Sequence, residues 1–78
     1  MQEREFNFTL RVAGVSELTD EVANTLFEAG CDDATPAMRD GQLYVTFTRL
    51  AEAHELAVFS AIHQIEGCGI GARVTGIE

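Results

Sequence analysis

Apolar and polar residues alternate from Glu5 to Ala13. Phe6, Phe8, Leu10 and Val12 fall on one side, and Asn7, Thr9 and Arg11 on the other. A period of two predicts a strand with one buried and one polar face, ended at Gly14. The pattern then changes to a helical one over Thr19–Ala29, where Leu18, Val22, Leu26 and Ala29 fall on one stripe and Phe27 lies off it. Thr19 is placed as N-cap, with Asp20 and Glu21 in the first turn where carboxylates favour the dipole. Leu18 is placed to staple onto Ala23, and Gly30 is the expected helix stop. A second strand is predicted over Ala34–Arg39. Pro36 cannot donate to a ladder, so this strand belongs at a sheet edge. Asp40-Gly41 marks a tight turn into a third strand over Gln42–Thr48, with Leu43, Val45 and Phe47 inward and Tyr44, Thr46 and Thr48 outward. A second helix is expected over Ala51–Glu66, with Ala51, Val58, Ile62 and Ile65 on one face, Phe59 flanking it and Leu56 nearly opposite. Gly67, Gly69 and Gly71 break it, and Ala72–Ile77 forms the last strand.

The order is βαββαβ, and its two halves echo one another. Phe8-Thr9-Leu10 answers to Val45-Thr46-Phe47, and Gly30-Cys31 to Gly67-Cys68. Right-handed crossovers and the central hairpin give a ferredoxin-like α+β fold, an antiparallel sheet of order 4-1-3-2 with both helices on one face. Residues 1–78 make a single domain. The other face of its sheet carries Asn7, Thr9, Arg11, Tyr44, Thr46, Thr48 and Arg73.

Composition narrows the function classes. A chain of 78 residues buries only about 60% of its unfolded surface, so a dimer would help it. Hydrophobic residues make up 46%, which argues against disorder, and no apolar run approaches the ~20 residues of a membrane span. The N-terminus, Met1-Gln2-Glu3-Arg4-Glu5, lacks the basic start and apolar run of a signal peptide, so a cytoplasmic protein of bacterial type is expected. The net charge is −8, from 13 acids against five bases, all arginine. That argues against direct nucleic-acid binding, which needs cations to neutralise phosphates.

No catalytic or cofactor constellation stands out. His54 and His63 share no face and read as solvated surface residues. Ser16 and Ser60 lack an adjacent base. Asp32-Asp33 and Asp40 are turn acids, weak as a cation site. Helix 1 and helix 2 run antiparallel in this fold, which sets Cys31 and Cys68 at opposite ends and argues against a disulfide. Two cysteines without further ligands are a poor zinc site. The Gly67–Gly71 loop follows a helix instead of preceding one, the wrong end for a phosphate cradle. Tyr44 alone is aromatic on the open face, too few for an RNA-recognition surface. A threonine-rich face is more naturally a dimer or protein-partner surface, with strand addition at an edge as a second route. The candidate interface residues are therefore Thr9, Arg11, Tyr44, Thr46 and Thr48 on the sheet, Pro36 at the edge, and Leu56 and Phe59 on the second helix.

The stretch Glu17-Leu18-Thr19-Asp20-Glu21-Val22-Ala23, then Leu26-Phe27-Glu28-Ala29-Gly30-Cys31-Asp32-Asp33-Ala34, resembles a widespread family of small uncharacterised bacterial proteins. Ser60-Ala61-Ile62 and Gly71-Ala72-Arg73-Val74 fit the same pattern, so the resemblance spans most of the chain. In that family this unit is often followed by a helix-turn-helix segment, and such members carry antitoxin-like or DNA-binding regulator labels. The resemblance implies no catalytic residue. At Leu56 the family usually carries a polar side chain. The expectation is a non-enzymatic association domain in a regulatory setting, binding a second copy or a protein partner. The native chain is expected either to continue into a helix-turn-helix after Glu78 or to stand alone. Two alternatives remain. One is an acidic, phage-type nucleic-acid mimic using Glu17, Asp20, Glu21, Glu28, Asp32 and Asp33. The other is a small-molecule sensor with Gly14-Val15-Ser16 at its ligand loop.

Overall fold

The computed structural model describes residues 3–31 and 33–78. The elements are β1 (Arg4–Ala13), α1 (Asp20–Glu28), β2 (Ala34–Arg39), β3 (Gln42–Ala51), α2 (His54–Glu66) and β4 (Arg73–Ile77). They form an α+β fold with one open, four-stranded antiparallel sheet in the order β2-β3-β1-β4; counted from the β4 edge this reads 4-1-3-2. Among the described residues no helix is long and apolar enough to cross a membrane.

The inward residues of β1 and β3 meet both helices in one core. Phe8, Leu10, Val12, Leu43, Val45 and Phe47 lie against Leu26 of α1 and Ala57, Val58, Ala61 and Ile65 of α2. Phe8 and Phe47 stack with centroids 5.3 Å apart. The helices therefore cover one face and leave the other open. Thr19 caps α1, its hydroxyl accepting from the Val22 N–H at 3.2 Å. Gly30 follows with φ of 103°, a left-handed turn that glycine adopts at least cost. Pro36 does sit on an edge strand.

Several expectations need correction. β3 continues through Arg49, Leu50 and Ala51, which pair with Phe6, Glu5 and Arg4 of β1. Ala51 is thus a strand residue, and α2 begins only at His54. The buried face of α2 centres on Ala57, Val58, Ala61 and Ile65, while Ile62 is half-buried. Two alanines there let the helix lie close to the sheet. His54 is exposed, yet its ring packs edge-on against Phe6 at 5.5 Å and Phe8 at 5.9 Å, so it is more than a solvated residue. Nor do the cysteines lie at opposite ends. Cys31 Sγ is 4.0 Å from Gln64 Oε1 near the end of α2, and Cys68 follows shortly after, its thiol bonded to the Ile65 carbonyl. Neither is in a disulfide. Met1, Gln2 and Asp32 lie outside the described residues, including the part of the turn-acid and mimic readings that rested on Asp32.

Candidate functional site: the open face of the sheet

Strand pairing sorts the outward residues into rows. Arg11 pairs with Tyr44, and Tyr44 with Ala37. Thr9 pairs with Thr46, and Thr46 with Thr35. Asn7 pairs with Thr48, and Glu5 with Leu50. Beyond the Arg11 row, Arg73 pairs with Ala13 and Arg39 with Gln42. The structure thus brings Thr9, Arg11, Tyr44, Thr46 and Thr48 onto one surface, together with Asn7 and Arg73.

Hydrogen bonds hold the middle of this surface. The Thr9 and Thr46 hydroxyls lie 3.0 Å apart, and the Thr48 hydroxyl donates to Asn7 Oδ1 at 2.8 Å. The Arg39 guanidinium sits over the Tyr44 ring, 4.9 Å from its centroid. Arg11 lies across Gly76, where the missing side chain leaves room for its guanidinium. A bulge in β4 between its pairings to Arg11 and Val12 sets Thr75 out of register. Thr9, Ala37, Arg39, Tyr44, Thr46 and Glu78 line a shallow depression of about 400 Å³.

The surface is electrically polar along the strands. Arg11, Arg39 and Arg73 cluster at one end and Glu5 marks the other. Among the described residues the sole ion pair is Arg49 with Asp33, so these three open-face arginines pair with no carboxylate in a chain of net charge −8. Acids dominate the helical side instead, where Glu17, Asp20, Glu21 and Glu28 are all exposed. Leu50, 61% exposed, is the large apolar residue of the open face.

The remaining candidates fall elsewhere. Pro36 points to the helix side of β2, half-buried near Leu26, Phe27 and Cys31. Phe59, 66% exposed, lines a small apolar groove of about 210 Å³ with Val58, His54, Glu55 and Ile77 beside the β4 edge. Leu56 is exposed and absent from that groove. Gly14, Val15 and Ser16 do line a depression of about 450 Å³ with Gln42, but no charged side chain converges on it. No group of three or more His, Cys, Asp or Glu able to hold a metal occurs among the described residues.

Two residues of interest escaped the pattern of the sequence. Leu50 sits beyond the predicted end of β3, so its place on the open face was hidden. Arg39 ends an edge strand, and nothing in the sequence signals its stacking on Tyr44. Compared with protein-family models, curated proteins and solved structures, the chain matches none of them.

Proposed function

We propose that this chain is a non-catalytic association domain of ferredoxin-like βαββαβ architecture. It works by presenting the open face of its sheet to a protein surface, in the regulatory, antitoxin-like setting that its sequence resemblance implies. One observation carries the reading: among the described residues three arginines on that face form no ion pair, although acids outnumber bases 13 to 5. Exposed cations gain by pairing with a surface that brings its own carboxylates. Tyr44 adds apolar area next to them and Leu50 adds it at the far end of the same face, and aromatic and arginine side chains are the groups enriched at interfaces. A net charge of −8 repels a long polyanion, so a protein surface fits better than nucleic acid.

Light scattering after size exclusion, over a wide concentration range, tests this reading. The expected result is self-association or a stable complex, with Tyr44 and Leu50 protected from hydroxyl-radical footprinting in the associated form. A strict monomer at high concentration, with no partner recovered, would overturn it.

A second reading draws on the exposed row Glu17, Asp20, Glu21 and Glu28, which suits an acidic mimic aimed at a basic partner. Asp33 leaves that set, since Arg49 already neutralises it. Binding through this row would weaken steeply with salt. Salt-insensitive binding would exclude it.

A further inference from the structure

We propose that the occupant of the open face is a second copy of this chain, packed face to face about a two-fold axis running across the strands. The inference rests on the association reading above. Two-fold axes lying in such an interface come in two orientations. An axis along the strands sets each row against the same row of the partner, so Arg11, Arg39 and Arg73 would face their own copies. That juxtaposition of like charges is unfavourable. An axis across the strands reverses the row order instead.

Centred between the Thr46 and Thr48 rows, the reversed arrangement sets unlike groups against each other along β1 and β3, while Glu78, beside Thr9 at the end of β4, lies outside those matches. Arg11 on β1 faces the second copy's Glu5, and Tyr44 on β3 faces its Leu50. The hydrogen-bonding Thr9 and Thr46 row meets the Asn7 and Thr48 row. Arg39 and Arg73, one row further out, come to the end where Glu3 and Glu52 are exposed. A single operation thus pairs cation with carboxylate, ring with aliphatic chain and hydroxyl with amide. It covers the exposed Leu50 and closes the assembly, because each copy uses the same patch. Strands of ten, six, ten and five residues, about 4.8 Å apart and rising about 3.3 Å per residue, give a face of roughly 500 Å² in projection, which side-chain relief enlarges. A standard interface covers about 800 Å² of accessible surface per partner.

Charge swapping tests the geometry. Glu5 and Arg11 lie about 20 Å apart along one strand, so they cannot meet within a chain. In sedimentation equilibrium, Arg11→Glu and Glu5→Arg should each weaken the dimer at least tenfold. Mixing the two variants should restore it, because both cross-interface pairs are then opposite in sign, and the Arg11→Glu/Glu5→Arg double variant should dimerise as the wild type does. Circular dichroism confirms folding of each variant. Should Arg11→Glu misfold, Arg39→Glu with Glu52→Arg repeats the swap at the outer row. A dimer that neither mixing nor doubling rescues overturns the two-fold geometry. A monomer whose open face instead binds a different protein, or a short single-stranded RNA oligomer, overturns it as well; the first of these leaves the association reading standing and the second removes it. A monomer without any partner removes both.

Discussion

Arg49 grips Asp33 with two parallel hydrogen bonds, Nε to Oδ2 at 2.7 Å and a terminal nitrogen to Oδ1 at 2.8 Å. The same guanidinium donates to the Ser60 hydroxyl of α2 at 2.9 Å and the Gly30 carbonyl at 3.3 Å. It also lies 4.9 Å from the centroid of the Phe47 ring. One side chain thereby ties the end of β3 to the α1–β2 turn and to the second helix. The Arg49 side chain is only 11% exposed, so its partners matter more than those of a surface pair. Asp33→Asn should cost about 1–3 kcal/mol of stability, the scale of removing a charged hydrogen-bond partner from a largely buried group. Urea unfolding should show a lower midpoint at an unchanged slope.

The pH dependence of that cost has a definite sign. Hydrogen bonds from Arg49 hold the Asp33 carboxyl below its ordinary range, outweighing the opposing effect of partial burial, and the Arg49 charge adds to the lowering. A depressed carboxylate stabilises the fold fully above its unfolded pKa and loses that contribution as pH falls toward the folded value. The stability gap between wild type and Asp33→Asn should therefore be widest near neutrality and narrow as pH drops below about 4, the unfolded aspartate value. Paired urea titrations across that range measure it. A gap that stays constant would mean the pair contributes nothing through charge.

Arg49 also explains what the sequence concealed. β1, β2 and α1 are legible because alternation, Pro36, Thr19 and Gly30 each act through local backbone chemistry. The alternation predicts too short a β3 because a charged residue at an inward position, followed by Leu50 at an outward one, inverts it. Only the partners supplied by Asp33, Gly30 and Ser60 make an inward arginine tolerable, and those contacts are tertiary. The face of α2 was shifted for a related reason: Ala57 and Ala61 are buried for their smallness, which a pattern of large apolar residues underweights. On the open face, the identities of Thr9, Tyr44, Thr46 and Thr48 were legible from period two. The charge gradient is legible only in part: period two and strand order set Arg11 and Arg73 on that face, but the place of Arg39 over Tyr44 is a tertiary contact.

Gly76 offers a way to separate assembly from folding. Its backbone is not in the left-handed region, so alanine fits the strand. The nearest atoms a methyl there would meet are those of the Arg11 guanidinium, the far end of a flexible, exposed side chain. Gly76→Ala should leave thermal stability unchanged or raise it by up to about 1 kcal/mol through the unfolded chain. Displacing Arg11 should still weaken self-association several-fold. Melting curves and sedimentation equilibrium on the same preparation read the two effects independently.

Two phenylalanines should respond in opposite ways. Phe47 is fully buried and stacks on Phe8, so Phe47→Ala removes a core ring and should cost about 3–5 kcal/mol. A chain of 78 residues has roughly 4–12 kcal/mol in total, which puts that variant close to unfolding at room temperature. Phe59 is 66% exposed beside Ile77, and Phe59→Ser should change stability by about 0.5 kcal/mol or less. Denaturant curves for both variants check the contrast. If Phe59→Ser proved as costly as Phe47→Ala, the groove beside β4 would be closed over by protein, and α2 would sit lower on the sheet than described.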